Sequence, residues 1–460
     1  RQLHSIYLDT PAWDLMQRGI ALRVRRIGKR WVQTLKAETA TVGALSRRPE
    51  WEVALPRGHH DLGLLPEEAL ALLKGMDTGL ICPAFATDFR RTAWQLESAG
   101  AGMEVALDEG EIRVGGHAQP LCEVEIELKS GAREALFDLA LDLLQDLPLG
   151  VEPRSKAMRG YVLAGAIEPR PVKAMMPRLD AAMDAGQAWT LLAEAALAQM
   201  VGNVPGFMAM PEELEYLHQL RIGVRRLRTV AAMAASLGRA TPSWDEGLRT
   251  LMQVLNGARD WDVLLAEILP RAAAALSASP LGLALRQRLQ REAMAERKIA
   301  MTAIAAPEFT RLVLEIGRNL LSPAIAEQAL LPWAAARLEA RWQRLLKRGK
   351  GFARLDAAQR HRVRIAAKRM RYTADVLAAA FAHSDKFITR LATLQDRLGA
   401  MQDAVVATRL IGGMHSRSAQ ILFDAGRVVG VLAGEGEGHD RGGAKAWQAL
   451  LRTRRFWKVS

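Results

Sequence analysis

The sequence is poor in cysteine, with only Cys82 and Cys122 among 460 residues. Two thiols cannot build a disulfide framework or a four-cysteine zinc site. So low a count fits a reducing compartment. Long apolar runs are missing too: no stretch of ~18 uncharged apolar residues occurs, which argues against a membrane span. A methionine start is missing as well. The chain opens on Arg1, and its first residues resemble no signal peptide, so further sequence is expected upstream. What is present is globular in composition: 50% of residues are apolar and 25% charged. At ~150 residues per domain the length suggests about three domains, enough chain to bury a sizeable core.

Negative charge is scarce in one part only. Residues 1–165 hold 20 Lys and Arg against 23 Asp and Glu, a net of −3. The remaining residues hold 43 against 27, a net of +16. A soluble segment of that balance usually meets a polyanion, namely nucleic acid, an anionic membrane surface or a phosphate chain. The plainer alternative is a set of solvated arginine faces.

The two parts also differ in construction. Residues 1–165 read as an antiparallel α+β domain. Period-two patterns occur at Ala21–Arg25, Trp31–Lys36, Pro49–Leu55, Phe85–Trp94, Met103–Leu107, Ile112–Val114 and Leu121–Leu128. Asp108-Glu109-Gly110-Glu111 reads as a hairpin turn. Pro66–Lys74 and Arg133–Leu144 read as helices. Residues 166–182 form a linker, because Glu168-Pro169-Arg170-Pro171-Val172 can continue neither a helix nor a central strand. Residues 183–457 are rich in helix formers and read as all-α. Within them, Gly434–Gly443 reads as a flexible loop and Trp447–Trp457 as a short last helix.

The all-α part repeats itself at an offset of 143. His218-x-x-Arg221-x-x-x-Arg225-Arg226-x-Arg228 matches His361-x-x-Arg364-x-x-x-Lys368-Arg369-x-Arg371. In the same register, Leu255–Asp260 falls on Leu398–Asp403. On a helix at about 100° per residue, His218, Arg221, Arg225 and Arg228 form one stripe. Arg226 lies on its shoulder, and Leu220, Val224, Leu227 and Val230 take the far side. The second copy gives the same wheel. An ordinary solvated helix face mixes in acids at i±4. Neither 218–228 nor 360–371 contains one. Like charges so spaced destabilise a helix, and a bound anion compensates. Arginine's planar fork suits phosphate oxygens. Aromatic platforms for bases are few, with only Tyr216 before the first copy and Tyr372 at the end of the second. A phosphate chain is therefore favoured over nucleic acid. Neither histidine has a metal-ligand partner at i+3 or i+4. Both are expected to donate hydrogen bonds, with protonation favoured beside a polyanion.

These duplicated helices, with Asn256-x-x-Arg259-Asp260-x-Asp262-Val263 and Leu394-Gln395-x-x-Leu398-Gly399-x-x-Gln402-Asp403 after them, resemble the CHAD domain (conserved histidine α-helical domain) over residues 183–457. The resemblance implies two pseudo-symmetric four-helix bundles whose basic helices line a shared groove for inorganic polyphosphate. It implies groove residues His218, Arg221, Arg225, Arg226, Arg228, His361, Arg364, Lys368, Arg369 and Arg371, with Arg259 joining from the next helix. Gln402 stands where the first half has Arg259, so the halves need not bind equally.

In the first part the strands sort their charges by face. Arg23 and Arg25 oppose Leu22 and Val24. Thr34 and Lys36 share a face. Glu50 and Glu52 oppose Trp51 and Val53, and Glu123, Glu125 and Glu127 oppose Val124, Ile126 and Leu128. Carboxylates crowded on one face repel unless paired. A closed barrel with acids around a divalent cation and bases around an anion would reconcile them. A half-buried sheet with a salted outer face does so equally well.

The ordered set Tyr7–Pro11, Gly19–Arg25, Thr34–Lys36, Arg48–Glu52, Leu107–Gly110, Glu123–Gly131 and Ser155-Lys156 resembles the CYTH domain of the triphosphate tunnel metalloenzymes over residues 1–165. That family includes thiamine triphosphatases, inorganic triphosphatases and class IV adenylyl cyclases. CYTH followed by CHAD resembles a bacterial inorganic triphosphatase architecture. The resemblance implies an antiparallel β-barrel with Arg23, Arg25, Lys36, Arg91 and Lys156 on triphosphate. It implies Asp108, Glu123 and Glu125, helped by Glu50 or Glu52, on Mg²⁺ or Mn²⁺, with Glu127 a weaker candidate. The family's opening Glu-x-Glu-x-Lys strand is not in this sequence. The barrel is then incomplete at its N-terminus, the chain as given a poor catalyst, and the retained downstream residues favour a fragment of a longer product. The resulting expectation is a cytoplasmic metal-dependent hydrolase of inorganic triphosphate, whose helical domain holds polyphosphate and associates with polyphosphate granules. The alternatives are a non-catalytic polyphosphate binder with a degenerate first domain, a nucleotide cyclase or a nucleic-acid binder. Nothing in the sequence fixes an oligomeric state.

Overall fold

The computed structural model describes residues 1–37, 49–98, 100–173, 175–276, 280–322, 328–435 and 439–458. Its contacts divide the chain into two compact units. One is Arg1–Arg170 with Val313–Leu321, and the other is Pro171–Leu312 with Ser322–Ser460.

The first unit is built on one antiparallel sheet of seven strands. These are β1 (Gln2–Asp9), β2 (Ile20–Ile27), β3 (Arg30–Ala37), β4 (Glu50–Leu55), β5 (Cys82–Ser98), β6 (Ala101–Val114) and β7 (His117–Ser130). Short helices α1 (Asp14–Gln17) and α2 (Glu67–Ala71) interrupt the strands, and α3 (Glu134–Asp146) and α4 (Lys156–Leu163) follow them. The spatial order is β4-β3-β2-β1-β5-β6-β7. Among the described residues β4 and β7 are the two edges and no ladder joins them, so the sheet is unclosed, as a barrel incomplete at its N-terminus would be.

Strand β2 has both faces covered, with Leu22 and Val24 buried on one side and Arg23 and Arg25 on the other. Leu22, Val24, Leu35, Leu8 and Ile20 form a core with Leu65, Ala69 and Leu73 from the segment around α2. Each large aliphatic side chain so buried contributes roughly 1.5–3 kcal/mol. The polar face of the sheet is therefore anchored from behind.

The hairpin expected at residues 108–111 is absent, because β6 runs unbroken through it. Gly110 is there for close approach rather than for a turn. A Cβ at Gly110 would stand 2.1 Å from the Asp88 carbonyl oxygen and 2.6 Å from the Phe89 Cβ. The β6–β7 link instead passes through Gly115, whose φ of 55° is left-handed.

The second unit is helical. Its elements are α5 (Ala185–Gly202), α6 (Val204–Ala209), α7 (Leu214–Ala231), α8 (Trp244–Val263), a π-helical turn at Leu264–Ile268, α9 (Leu269–Ala275) and α10 (Leu283–Ala305). After α11 (Pro307–Leu321), which straddles the two units, come α12 (Leu330–Gly349), α13 (Ala357–Leu377), α14 (Asp385–Gly412), α15 (Ala419–Glu435) and α16 (His439–Leu451). The internal repeat is visible in the packing. The pairs α5–α7, α7–α8 and α8–α10 recur as α12–α13, α13–α14 and α14–α16. Symmetry breaks at α15, which packs on α9 and α10 of the first half around Leu285, Leu289, Ala425, Val428 and Leu432. No membrane-length apolar helix occurs among the described residues.

Two helical expectations shift. The glycine-rich stretch contributes its ends to α15 and α16, while residues 436–438 lie outside the described ones. The last helix starts at His439 and ends at Leu451 rather than running from Trp447 to Trp457. Burial of Ala446, Trp447 and Leu450, with Trp447 stacked on Phe352 at 5.5 Å, outweighs the helix cost of Gly442 and Gly443.

Candidate active site and basic helix pair

Residues directly opposite in an antiparallel ladder share a face. Ser5 lies opposite both Arg25 and Thr87. Tyr7 lies opposite Arg23, Arg23 opposite Thr34, and Thr34 opposite Glu52. Lys36 faces Glu50, Arg91 faces Asp108, and Asp108 faces Glu123. Glu125 follows two residues along β7. One sheet face therefore carries every strand residue expected to bind triphosphate or metal.

At the β6–β7 end three acids converge. Asp108, Glu123 and Glu125 each offer an oxygen within 4.8 Å of the others. Asp108 is fully buried. Arg91 forks onto it, with Nε 2.7 Å from Oδ1 and Nη2 2.6 Å from Oδ2, and Nη2 also reaches Glu125 Oε2 at 2.5 Å. Lys156, from the first turn of α4, lies 2.8 Å from Asp108 Oδ2 and 2.8 Å from Glu125 Oε1 and bonds Glu123. Arg159, one turn on, binds Glu123 Oε2 at 3.0 Å and the Pro120 carbonyl at 2.9 Å. The Ser155 hydroxyl caps α4 by accepting from the Met158 N–H at 3.1 Å. That cap aims Lys156 and Arg159 at the acids.

The titration of this network follows from its neighbours. Burial pushes the Glu125 carboxyl up, but Lys156 and Arg91 outweigh burial and hold it at about 2. Burial works against the Lys156 ammonium, yet Glu125, Glu123 and Asp108 raise it. Three hard carboxylate donors this close suit Mg²⁺ or Mn²⁺. Their gathering around the Lys156 ammonium shows that they already stabilise a cation.

Glu50 and Glu52 stand outside this trio. Glu50 pairs with Lys36 Nζ at 2.8 Å and Arg23 Nη2 at 3.5 Å. Glu52 accepts from the Thr34 hydroxyl at 3.4 Å. Glu127 pairs with Lys129 at 2.7 Å, away from the trio.

The middle of the face is basic. Arg25 Nε donates to Ser5 Oγ at 2.8 Å. Burial first and then Arg23 push the Arg25 guanidinium down to about 10. Burial and the Arg23 charge likewise lower Lys36. Two buried polar atoms here lack partners, Arg23 Nε and Thr87 Oγ1. A residue not singled out in the sequence joins the site: the Phe89 ring lies 5.4 Å from Lys156 Nζ, 5.6 Å from the Arg25 guanidinium and 5.9 Å from that of Arg91. Three cations share one aromatic quadrupole. The period-two pattern over 85–94 places Phe89 between Thr87 and Arg91, which is the signal that could have found it.

In the helical unit the two basic copies meet. Arg225 of α7 stacks on Tyr372 of α13 at 4.1 Å, and Lys368 lies 5.8 Å from the same ring. Tyr372 thus joins the halves. Arg221 donates to Asn256 Oδ1 at 2.6 Å. Burial first, then Arg259 and Arg225, push Arg221 down to about 10. Burial and then the Arg259 charge also lower His218, whose Nδ1 is buried without a partner. The expected protonation concerns His218 beside a polyanion; without one, burial and Arg259 act against its charge. Among the described residues no carboxylate pairs with Arg225 or Lys368.

The remaining expected groove residues divide. Arg364 acts on Asp403 of α14. Arg259 reaches Glu267 at 3.4 Å while its charge bears on His218. Arg226 donates to Gln199 of α5 at 2.7 Å, and Arg228 binds Asp245 of α8 at 3.0 Å. Arg371 lies 3.4 Å from Gln395 and 3.8 Å from Asp375. Arg369 turns its charge toward Arg341 of α12, and His361 is exposed. Arg226, Arg228 and Arg371 thus also tie α7 and α13 to neighbouring side chains. The acids that meet Arg228 and Arg371 lie outside the acid-free stretches, so inspection of those stretches alone could not find them. The Gln402 side chain and Arg48 lie outside the described residues.

Comparison with known proteins agrees with this division. Residues 1–161 match the CYTH domain family and residues 191–412 the CHAD domain family. An inorganic triphosphatase of Haemophilus influenzae is 36% identical over 166 residues, covering 35% of this chain and 46% of that protein. The chain thus spans about half the length of that curated relative. The crystal structure of the CHAD domain from the plant Ricinus communis superposes with a TM-score of 0.56 at 29% identity, covering 62% of this chain and 98% of that one.

Proposed function

For a chain that carries a CYTH domain at residues 1–161 followed by a CHAD domain at residues 191–412, we propose metal-dependent hydrolysis of inorganic triphosphate on the sheet and polyphosphate binding on the helices. The observation that carries the first half is the register, which puts Arg23, Arg25, Lys36, Arg91 and the acid trio on one face. The relative named as an inorganic triphosphatase supports the substrate.

In this reading Arg23, Arg25 and Lys36 bind phosphate oxygens. The partnerless Arg23 Nε and Thr87 hydroxyl are donors that an oxyanion would satisfy. Asp108, Glu123 and Glu125 would hold Mg²⁺ or Mn²⁺, which neutralises phosphate oxygens. With a cation on the acids, Arg91 and Lys156 would be free to face the negative charge that builds on the leaving phosphate. Phe89 keeps three cations within reach of one ring.

Measuring phosphate released from tripolyphosphate by the full-length gene product, with and without Mg²⁺, tests this directly. Phosphate release that depends on Mg²⁺ and is lost in Arg25→Ala supports it. Pyrophosphate formed from ATP in its place points to a nucleotide cyclase and overturns it. A second reading is favoured by the ion pairing of Arg91, Lys156 and Arg159 with all three acids: a non-catalytic first domain beside a polyphosphate-holding helical one, tethered at polyphosphate granules. Absence of any phosphate release, with polyphosphate binding intact, selects it.

A further inference from the structure

Helix α12 carries a cationic stripe that the α7–α13 groove does not use. At about 100° per residue, Arg337, Arg341, Arg344 and Arg348 fall within a sector of about 60°. Along the axis they span about 16 Å at 1.5 Å per residue. The adjoining face is core, with Leu338, Trp342 and Leu345 buried. The helix has one acid, Glu339, on its far side, and Arg455 at 3.2 Å and Trp457 at 2.9 Å occupy it. From the packed helix α13, Arg369 brings its charge to bear on Arg341. Arg362 lies two turns earlier on the same side of α13.

Among the described residues no carboxylate pairs with Arg337, Arg341, Arg344 or Arg369. Arg337 Nε is buried with no partner. Burial lowers the Arg341 guanidinium, and Arg344, Arg369 and Arg337 lower it further. The duplication makes a merely structural origin unconvincing. At the offset of 143, Arg337, Arg341 and Arg344 correspond to Glu194, Ala198 and Val201 of α5. The first half folds on the same helix pairing without the stripe.

We propose that α12 and α13 form a second anion track, which holds a phosphate chain at the same time as the groove between α7 and α13. The inference rests on the polyphosphate reading of that groove and adds a preference for long chains. Arginine forks suit phosphate oxygens. The two tryptophans of α12 are buried and offer no platform to a base. Two contacts on one domain make the second capture intramolecular, so a chain that reaches both gains avidity and a short one does not.

The test compares tripolyphosphate with long-chain polyphosphate on the full chain, in Arg337→Gln/Arg341→Gln/Arg344→Gln and in the milder Arg344→Gln/Arg348→Gln, whose sites are exposed. Long-chain affinity should fall about 10- to 100-fold at 0.1 M salt in the triple variant, with a salt slope smaller by about 2. The double variant should lose part of this, and tripolyphosphate should bind all forms alike. Unchanged long-chain affinity and slope in both variants overturns the track. So does a loss confined to vesicles of anionic phospholipid, which assigns the stripe to a membrane surface. Failure of the groove reading looks different: Arg225→Ala/Lys368→Ala then binds long chains normally while the α12 variants do not.

Discussion

Replacing Arg225 and Lys368 together by alanine removes the two cations that approach Tyr372 from opposite halves of the repeat. Among the described residues no carboxylate is in ion-pair contact with either; Asp375 feels Arg225 and Asp260 feels Lys368 only at longer range, each beside other arginines that remain, so the fold should persist. The expected loss can be worked out. A phosphate contact on a single strand releases about 0.7 of a counterion. At 0.1 M salt that release is worth about 1 kcal/mol per contact relative to 1 M salt. Two contacts give about 2 kcal/mol, and the Arg225 ring stack, at 0.5–1 kcal/mol, adds preorganisation. The sum is a roughly 60- to 140-fold weaker binding of long-chain polyphosphate at about 0.1 M salt, shrinking as salt rises. Fluorescence anisotropy with end-labelled polyphosphate from about 0.05 to about 0.5 M salt, either side of the roughly 0.1 M at which the Debye length is about 10 Å, reads both numbers. The slope of log affinity on log salt should drop by about 1.4. Arg249→Ala removes an exposed arginine paired with Glu246 and should change neither. An unaltered slope in the double variant would refute the groove.

Three other outcomes follow from the same charges. Lys156→Ala leaves the buried Asp108 carboxylate with one cation fewer and should destabilise the protein by about 3 kcal/mol. Added Mg²⁺ should restore part of that loss in thermal melting, and a variant indifferent to Mg²⁺ would argue against a cation site at the acid trio. Glu125 has its carboxyl held at about 2, below the ordinary 4.5. Its contribution to stability is complete above about 4.5 and lost as pH falls towards 2, so Glu125→Gln should flatten the acid side of the stability profile in urea titrations at stepped pH. His218 is lowered by burial and by Arg259. A polyanion offsets the arginine field and raises it, so reciprocity makes binding tighter as pH falls through the range in which His218 takes up its proton. His218→Asn should reduce that pH dependence, and NMR titration of His218 with and without polyphosphate checks the shift itself.

How much of this was legible beforehand depended on whether the physics was local. The faces of β2, β3 and β7 follow from period-two alternation, so Arg23, Arg25, Lys36 and the acids could be placed on one surface before any contact was known. The α7 and α13 stripes follow from helical period in the same way. Non-local packing was not legible. Gly110 reads as a turn in sequence, and only the approach of the Asp88 carbonyl explains why a glycine sits inside β6. The central strand β1 carries too little alternation to declare itself, yet it pairs with both β2 and β5. Helix α4 escaped the hydrophobic pattern, although the Ser155 cap before Lys156 was a readable start signal. The partners of the arginines were also hidden, because Gln199, Asp245 and Gln395 come from separate packed helices.

The two domains handle surplus charge in opposite ways. On the sheet, Arg91, Lys156 and Arg159 meet Asp108, Glu123 and Glu125, so the free state is internally balanced and a cation must displace protein cations to enter. Under the proposed hydrolysis, an exchange of that kind would link metal entry to release of Arg91 and Lys156 toward the substrate. On the helices the balance is left open. Among the described residues Arg225, Lys368 and Arg337, Arg341 and Arg344 of α12 have no acid in ion-pair contact, and the fold sustains them by burying the opposite helix faces, including Leu220, Val224, Val363 and Ala367. A ligand that binds only the folded state stabilises it by about 2.7 kcal/mol at a hundredfold excess over its dissociation constant. An unbalanced cationic ridge turns that linkage toward polyanions, since each phosphate relieves repulsion as well as adding attraction. The sheet is thus suited to a short ligand that rearranges existing pairs, and the helices to a long one that completes missing pairs.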